Sequence, residues 1–492
     1  MKTKQHPFMY IIGAGFAGKA LAQEIRQKGI LGQVEAFLDD DPEKIGTSIG
    51  GIPVLGPIAK VETFLREIPA EEAIIAIPGA RQKDLLRIYW TLKRADFRKI
   101  RLLPQISQIV EGDAHLIQTR DIDPRDLLAR DPVLIPLKES LEYLKGSRVL
   151  ITGAGGSIGS ELARQLLSGG TQRIYLLDHD ENSIYEIEKE LKLLQEEGIG
   201  KNAVIVPVIG ELLDQEFVTF ILRRLKADVI FHCAAYKHVP MLEQNPVEAI
   251  KNNVFGTRNI VRSAAETKCR RFVFISTDKA VDPYSVYGAG KKIAERIVLE
   301  GNGPDTEYMV VRFGNVLGSR GSIVPLFEKQ IQKGGPVTIT HPDCRRFFMT
   351  IPEAASLVLK AGGVGQGGTL YILDMGEPVS IRELAEQMIR FYGFEPEMEI
   401  PITTIGLRPG EKIDERLWSV DEIPEETGFS GILKIKSNGA KPLDSEKLLQ
   451  ELLPICFFTS QNKEVYRNRR ELRRVLRRAV PSLEEKDDEP KY

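Results

Sequence analysis

The chain has 492 residues, too many for one ordinary hydrophobic core and enough for two or three domains. Its 67 basic and 69 acidic residues leave a net charge of -2, which removes any global electrostatic reason to expect nucleic acid or an anionic membrane as partner. Cys233, Cys269, Cys344 and Cys456 are scattered without a C-x-x-C pair or metal-ligand spacing, so neither a disulfide framework nor a metal site is expected.

The start, MKTKQHPFMYIIGAG, passes from polar residues straight into an apolar strand with no signal-peptide core. No apolar run approaches the roughly 18 residues of a membrane span, and a cytoplasmic chain is expected. MYIIGAGFAGKALAQEI then reads as strand, glycine-rich turn and amphipathic helix. Gly13, Gly15 and Gly18, followed by a strand ending at Asp39, qualify residues 1–115 as a dinucleotide-type unit in which no catalytic group stands out. Prolines and mixed charge in RDIDPRDLLARDPVLIPLKESLEYLKG predict a structured linker over 116–145.

RVLITGAGGSIGSELARQLL repeats the pattern: Val149, Leu150 and Ile151 lead to Gly153, Gly156 and Gly159, with a helix starting near Ser157. The missing side chains permit a tight turn and let backbone N–H groups approach a pyrophosphate, which the helix N-terminus also favours. The last glycine lets helix and strand pack closely. Asp178 ends the next strand about twenty residues on, where a carboxylate accepts hydrogen bonds from a ribose diol and repels a 2′-phosphate. NAD is therefore expected rather than NADP. The runs VEAFLD, EEAIIAI, RIYLLD, NAVIVPV, DVIFHC, RFVFIS and YMVVRF alternate with charged helical stretches, the pattern of parallel strands buried on both faces. The class is α/β, with two Rossmann-like doubly wound parallel sheets.

After RFVFIS comes Thr277-Asp278-Lys279, and Tyr287 stands in YGAGK with Lys291 four positions on, a spacing that puts phenol and ammonium on one helix face. A neighbouring ammonium and a cationic nicotinamide both favour phenolate, so Tyr287 can take a proton from a substrate hydroxyl as hydride leaves, with Thr277 sharing that hydroxyl. From about Gly314, short strands, turns and one clear helix suit a smaller substrate lobe within a catalytic domain spanning 146–455. Residues 456–492 form a tail. In it the arginine-dense stretch Arg467 to Arg478 reads as a solvated helix, with membrane-surface or partner docking as the lesser alternative, and the acidic end as disordered.

Together TGAGGSIGSELARQL, AAYKHVPMLEQNP, NNVFGTRN, STDKAVDPYSVYGAGK, RFGNVLGSRGSIVPLF, THPDCRRFFMTIPEA, YILDMGEPVSI and GLRPGEK resemble the extended short-chain dehydrogenases. Within that group they resemble the CapD-like nucleotide-sugar 4,6-dehydratases of bacterial capsule, O-antigen and protein-glycan synthesis, over nearly the whole chain. The resemblance implies a redox-neutral cycle on a UDP-N-acetylhexosamine such as UDP-N-acetylglucosamine. NAD oxidises C4, water leaves across C5 and C6, and the same hydride returns to C6. The elimination needs a base for the C5 proton and an acid for the C6 hydroxyl. Lys279, its pKa lowered by burial or by the cationic ring, is assigned the first role, and Asp278, kept protonated by burial, the second. A UDP-sugar 4-epimerase needs the tyrosine and the cofactor but no such pair, and is the runner-up. A non-catalytic nucleotide-sugar-sensing scaffold is the third reading, opposed by the intact Thr277, Tyr287 and Lys291.

The resemblance also implies Arg346 and Arg408 at the substrate pyrophosphate, where planar guanidinium groups bind phosphate bidentately, with Asn315 beside them and Glu411 at a ribose. Lys237 and His238 follow the strand DVIFHC at the carboxyl edge of the sheet, where ligands of open α/β folds gather, and a helix-start role fits either residue equally well. Cofactor contacts are expected from Gly153, Gly156, Ser157, Ile158, Gly159, Asp178, Ala234, Ala235, Tyr287 and Lys291. Two positions depart from the family pattern. Tyr287 stands where many large members have methionine, which leaves the C5 stereochemistry open. Glu211 stands where an aspartate commonly precedes the adenine pocket. The first unit resembles that of membrane-bound relatives and the nucleotide-sugar-binding unit of bacterial sugar acyltransferases. Those large relatives carry transmembrane helices ahead of it, so the chain reads as a soluble version, and a homo-oligomer, at least a dimer, is expected.

Overall fold

The computed structural model describes residues 7–29, 31–103, 119–123, 141–437 and 444–486. Most of the expected linker and the acidic end lie outside the described residues. The chain divides into two compact units, Met1–Asp131 and Pro132–Tyr492.

In the first unit, apolar runs form four parallel strands in the spatial order Gln33–Leu38, Phe8–Ile12, Glu72–Ile75 and Lys99–Leu102, with Arg120–Asp121 antiparallel at the edge. Met9, Ile11, Leu21, Ile25, Phe37 and Ile74 pack its core. Gly13 turns the chain at φ +105°, and Gly18 lies so near that an added Cβ would sit 1.9 Å from the Gly13 carbonyl oxygen. Only glycine permits that approach of helix Phe16–Lys28 to its strand.

The second unit is built on nine strands. Seven are parallel, ordered Val204–Ile209, Arg173–Asp178, Arg148–Thr152, Val229–His232, Arg271–Thr277, Glu307–Phe313 and Thr369–Leu373. The order reverses direction at Arg148–Thr152, the switch point where open α/β sheets gather ligands at their carboxyl edge. The region from Gly314 also completes this sheet: Thr369–Leu373 is its last parallel strand, and the hairpin Glu422–Glu426 and Ile432–Ser437 extends it antiparallel. Short pairs, Arg345–Arg346 with Val379–Ser380 and Val337–Ile339 with Ile402–Thr404, build the rest of the lobe around helix Ile381–Phe391.

The fully buried Arg312 joins these parts. Its guanidinium donates to Glu295 at 3.1 and 2.9 Å, on helix Val286–Glu300, and to Glu422 at 2.8 Å, on the hairpin. A buried charge is tolerated only with its partners in place, so the cluster locks helix, strand and hairpin into one arrangement.

The reading of the arginine-rich tail as a solvated helix is corrected. Helix Arg469–Ala479 buries Leu472, Val475 and Leu476, with Arg469 and Arg473, against the core of the second unit. Arginines are spaced so that three apolar residues fall on one face, and that face is covered rather than offered to a membrane. Of its outward arginines, Arg474 pairs with Glu471, Arg477 with Glu485 and Arg478 with Glu451. Among the described residues no helix is long and apolar enough to cross a membrane.

Candidate active site

Strand Arg148–Thr152 delivers the chain to Gly153 at φ +67°, where an added Cβ would lie 2.7 Å from the Ala234 backbone. Gly156 is exposed at the N-cap of helix Ser157–Ser168, and Ser157 and Ile158 open that helix half-buried. A Cβ on Gly159 would meet the Gly153 carbonyl oxygen at 2.2 Å. Asp178 Oδ2 accepts from Gly155 N at 3.1 Å, and its Oδ1 accepts from His179 N at 2.8 Å, so the strand-end carboxylate is held against the turn. Ala234 and Ala235 come just after strand Val229–His232, and Glu211 lies exposed just past Val204–Ile209. These residues therefore share the carboxyl edge of four adjacent strands.

Sequence reasoning missed two residues that shape this edge. Asn253, buried in a π-helical turn over Lys251–Gly256, accepts from Tyr236 N and donates to Tyr236 O, both at 2.9 Å, fixing the loop of Ala234, Ala235 and Lys237. Arg320 donates to Ser183 Oγ at 3.0 Å, and its amide reaches Ser157 Oγ at 3.4 Å, laying the GSRGS segment over the glycine turn. Lys237 Nζ donates to Arg320 O at 2.9 Å and holds that segment from the other side. The NNVFG and GSRGS motifs carried the signal, but not which side chain acts.

The next strand, Arg271–Thr277, leads into a short helical turn that carries Asp278 and Lys279. Thr277 ends Arg271–Thr277 and donates to Asp278 Oδ1 at 2.8 Å. Lys279 Nζ donates to the same oxygen at 3.0 Å and to Asn315 Oδ1 at 3.1 Å. Asp278 is fully buried, and its other oxygen, Oδ2, has no hydrogen-bond partner. Gly314 borders that oxygen, since a Cβ there would lie 3.2 Å from Oδ2. Asn315 thus stands beside Lys279.

Charges here depart from expectation. Burial alone would depress the Lys279 pKa, but the carboxylates of Asp278 and Glu415 outweigh it and hold the ammonium above its ordinary value, which corrects the expected lowering. Tyr287 is pushed up to about 12, by burial first, and the cation that opposes this is Lys279 rather than Lys291. Lys291 is pulled down to about 7 by burial; it donates to Ile275 O at 2.6 Å and lies 3.9 Å from the Phe274 ring centroid. Glu415 was not foreseen. Its side chain is buried, Oε2 lacks a hydrogen bond, and its nearest cation is Lys412 Nζ at 3.8 Å. Burial and then Asp278 raise its pKa against the pull of Lys279. Nothing in GEKIDER separates this carboxylate from a solvated one.

The expected phosphate residues are engaged within the protein. Arg346 donates to the carbonyls of Ile413 at 2.5 Å and Lys412 at 2.6 Å, bracing the loop that carries Glu415. Arg408, half-exposed, pairs with Glu411 at 2.5 Å. Arg345, the neighbour of Arg346, binds Pro378 O instead.

A model described as polysaccharide biosynthesis protein matches residues 149–437, and one described as CoA binding domain matches residues 6–87. The chain belongs to the polysaccharide biosynthesis protein family. Within it, the chain is a CapD-like extended short-chain dehydrogenase by motif and fold. The probable polysaccharide biosynthesis protein EpsC of Bacillus subtilis is 42% identical over 86% of this chain and 70% of its own length. A UDP-N-acetylglucosamine 4,6-dehydratase (inverting) of Campylobacter jejuni is 32% identical over 56% of this chain and 79% of its own. A UDP-glucose 4-epimerase of Rickettsia akari is 31% identical over 59% and 83%. The crystal structure of Pen from Bacillus thuringiensis, 32% identical, covers 63% of this chain and 98% of its own with a TM-score of 0.55.

Proposed function

We propose that this family member is an NAD-dependent nucleotide-sugar 4,6-dehydratase acting on a UDP-N-acetylhexosamine, UDP-N-acetylglucosamine first among them. The observation that carries the proposal is the pair of buried Asp278 and half-buried Lys279 beside Tyr287, with one carboxylate oxygen unpartnered. An alcohol oxidation and its reversal need no second acid–base pair; an elimination does. A relative of the dehydratase class supports the same choice.

The glycine turn fits a dinucleotide. Added side chains at Gly153 and Gly159 would collide with backbone, Gly156 leaves the helix N-terminus open to a pyrophosphate, and Asp178 stands where a ribose diol would bind. NAD, when bound, accepts hydride from C4 of the sugar and returns it to C6. Tyr287, protonated at rest, must first give up its phenol proton, a loss that a bound cationic nicotinamide would favour, and the phenolate then takes the C4 hydroxyl proton, aided by Thr277. Lys279 then removes the C5 proton, acidified by the C4 ketone, and Asp278 delivers a proton to the departing C6 hydroxyl. For this Lys279 must pass its resting proton on, and the adjacent Asp278 is the group bonded to receive it. Arg346 and Arg408 are assigned to the substrate diphosphate, with Lys237 and Glu411 nearby; for Arg408 this requires exchanging Glu411 for phosphate. A homo-oligomer and a cytoplasmic setting complete the reading.

The second reading is 4-epimerisation. It is favoured by the raised Lys279 pKa, which opposes a basic amine, and by the epimerase relative. Incubation with UDP-N-acetylglucosamine, with and without added NAD, separates the two by NMR. A C6 methyl signal beside a keto or hydrated C4 is the expected product, whereas the galacto isomer without a methyl group would replace dehydration with epimerisation.

A further inference from the structure

The helix carrying Tyr287 and Lys291 begins at Val286, whose N–H has no partner within the helix. Glu243 supplies one: its Oε1 accepts from Val286 N at 2.7 Å, and Ser285 Oγ accepts from Gly288 N at 3.1 Å. Glu243 Oε2 is in turn gripped by Arg473 at 3.0 Å and Lys486 at 2.5 Å, both from the C-terminal segment. Burial would raise this carboxyl, but Lys486, the Val286 amide and Arg473 hold it below the ordinary range, so it stays anionic at the helix N-terminus.

The same segment also holds the loop between Lys279 and Tyr287. Ser482 Oγ donates to Pro283 O at 3.0 Å, Tyr284 Oη donates to Glu484 Oε1 at 2.7 Å, and Glu484 N donates to Tyr284 O at 3.2 Å. Arg473 closes the strap on itself by donating to Glu484 O at 3.1 Å. The GLRPGEK loop rests on this knot, because a Cβ on Gly410 would lie 2.9 Å from both Glu243 and Ser285. The strap itself is made by residues beyond the 149–437 covered by the family model.

We propose that the C-terminal segment from Asn468 to Lys486 is a positioning element of the active site, acting through Glu243 on the loop and helix that present Tyr287 and Lys291. The inference rests on the assignment of those two residues as catalytic. A helix start tied by one amide and two cations moves its first turn when a tie is lost, and misplacement of a catalytic group by about 1 Å can cost up to 100-fold in rate.

The test uses Lys486→Met and Glu243→Gln in the full chain, with hydrogen–deuterium exchange of the peptide spanning 283–290, thermal unfolding, and turnover of UDP-N-acetylglucosamine. Faster exchange in that peptide and a kcat lower by roughly tenfold, with KM within about twofold, are expected. Lys486 is partly exposed, so its variant stays folded even where Glu243→Gln does not. Unchanged exchange in Lys486→Met overturns the proposal, as does faster exchange with unchanged kcat. If the wild type itself makes no product, the functional reading fails, and the exchange data alone decide whether the strap holds the helix.

Discussion

The two units contain nearly the same glycine turn. Gly13 and Gly153 both adopt positive φ, Gly18 and Gly159 both press on the carbonyl of that first glycine, and Asp39 and Asp178 both accept a turn amide, Ala14 N at 2.7 Å and Gly155 N at 3.1 Å. They differ in the strands beyond the turn. Asp39 also draws Lys44, at 3.3 Å, and the strand two places from the turn, Lys99–Leu102, runs out in Leu103. In the second unit the strand two places from the turn ends at Thr277 and leads straight into Asp278 and Lys279. A glycine turn makes a place for an anion; in the proposed function the reaction is set by the next strand but one and the residues that follow it.

The sharpest way to break this contrast is Lys279→Met. We expect elimination to fall by at least about 100-fold with C4 oxidation retained, measured as product methyl signal against a 340 nm absorbance transient. Asp39→Ala, in the first unit, leaves turnover intact. Equal losses from both would erase the division of labour. Next in size, Gly159→Ala abolishes NAD binding by calorimetry, while Gly18→Ala lowers the stability of the first unit by about 1–3 kcal/mol without changing NAD affinity.

Glu415→Gln sharpens the picture of the pair. Removing one of the anions that hold Lys279 up lowers the Lys279 pKa, so the limb of the kcat profile assigned to the base moves to lower pH, by about one unit. An unmoved limb would place Glu415 outside the proton chemistry. The smallest effect concerns folding. Glu422 is held near 2 against an ordinary 4.5: burial would raise it, but Arg312 prevails. Its stabilisation is therefore complete above pH 4.5 and lost as pH falls towards 2, on the order of 2–3 kcal/mol, read from thermal melts across that range. Arg312→Met should remove this acid sensitivity and cost about 3–5 kcal/mol at neutral pH.

Both turns, the parallel strands and Thr277 to Lys291 were legible because each is a local pattern: spacing on a strand or helix dictates it, and glycine is required where a carbonyl or a positive φ leaves no room. What escaped depends on pairing across long separations. Glu243 meets Arg473 and Lys486 from more than two hundred positions away, and the hairpin Glu422–Ser437 joins the sheet beside Thr369–Leu373 with no mark of it in the charged lobe sequence. The arginine-rich helix reads as solvated because its three apolar residues are outnumbered, yet those three fix its packing. Arg346 and Arg408 match phosphate-binding positions, but in this structure backbone carbonyls and Glu411 occupy their donors.

In the proposed reaction the second unit removes hydride from C4 and restores it to C6 around an elimination by Lys279 and Asp278. Turnover of UDP-N-acetylglucosamine deuterated at C4, monitored by NMR and mass spectrometry, tests it directly. The expected product carries that deuterium in its C6 methyl. Deuterium retained at C4 of a galacto isomer, or a methyl group without the label, would contradict it.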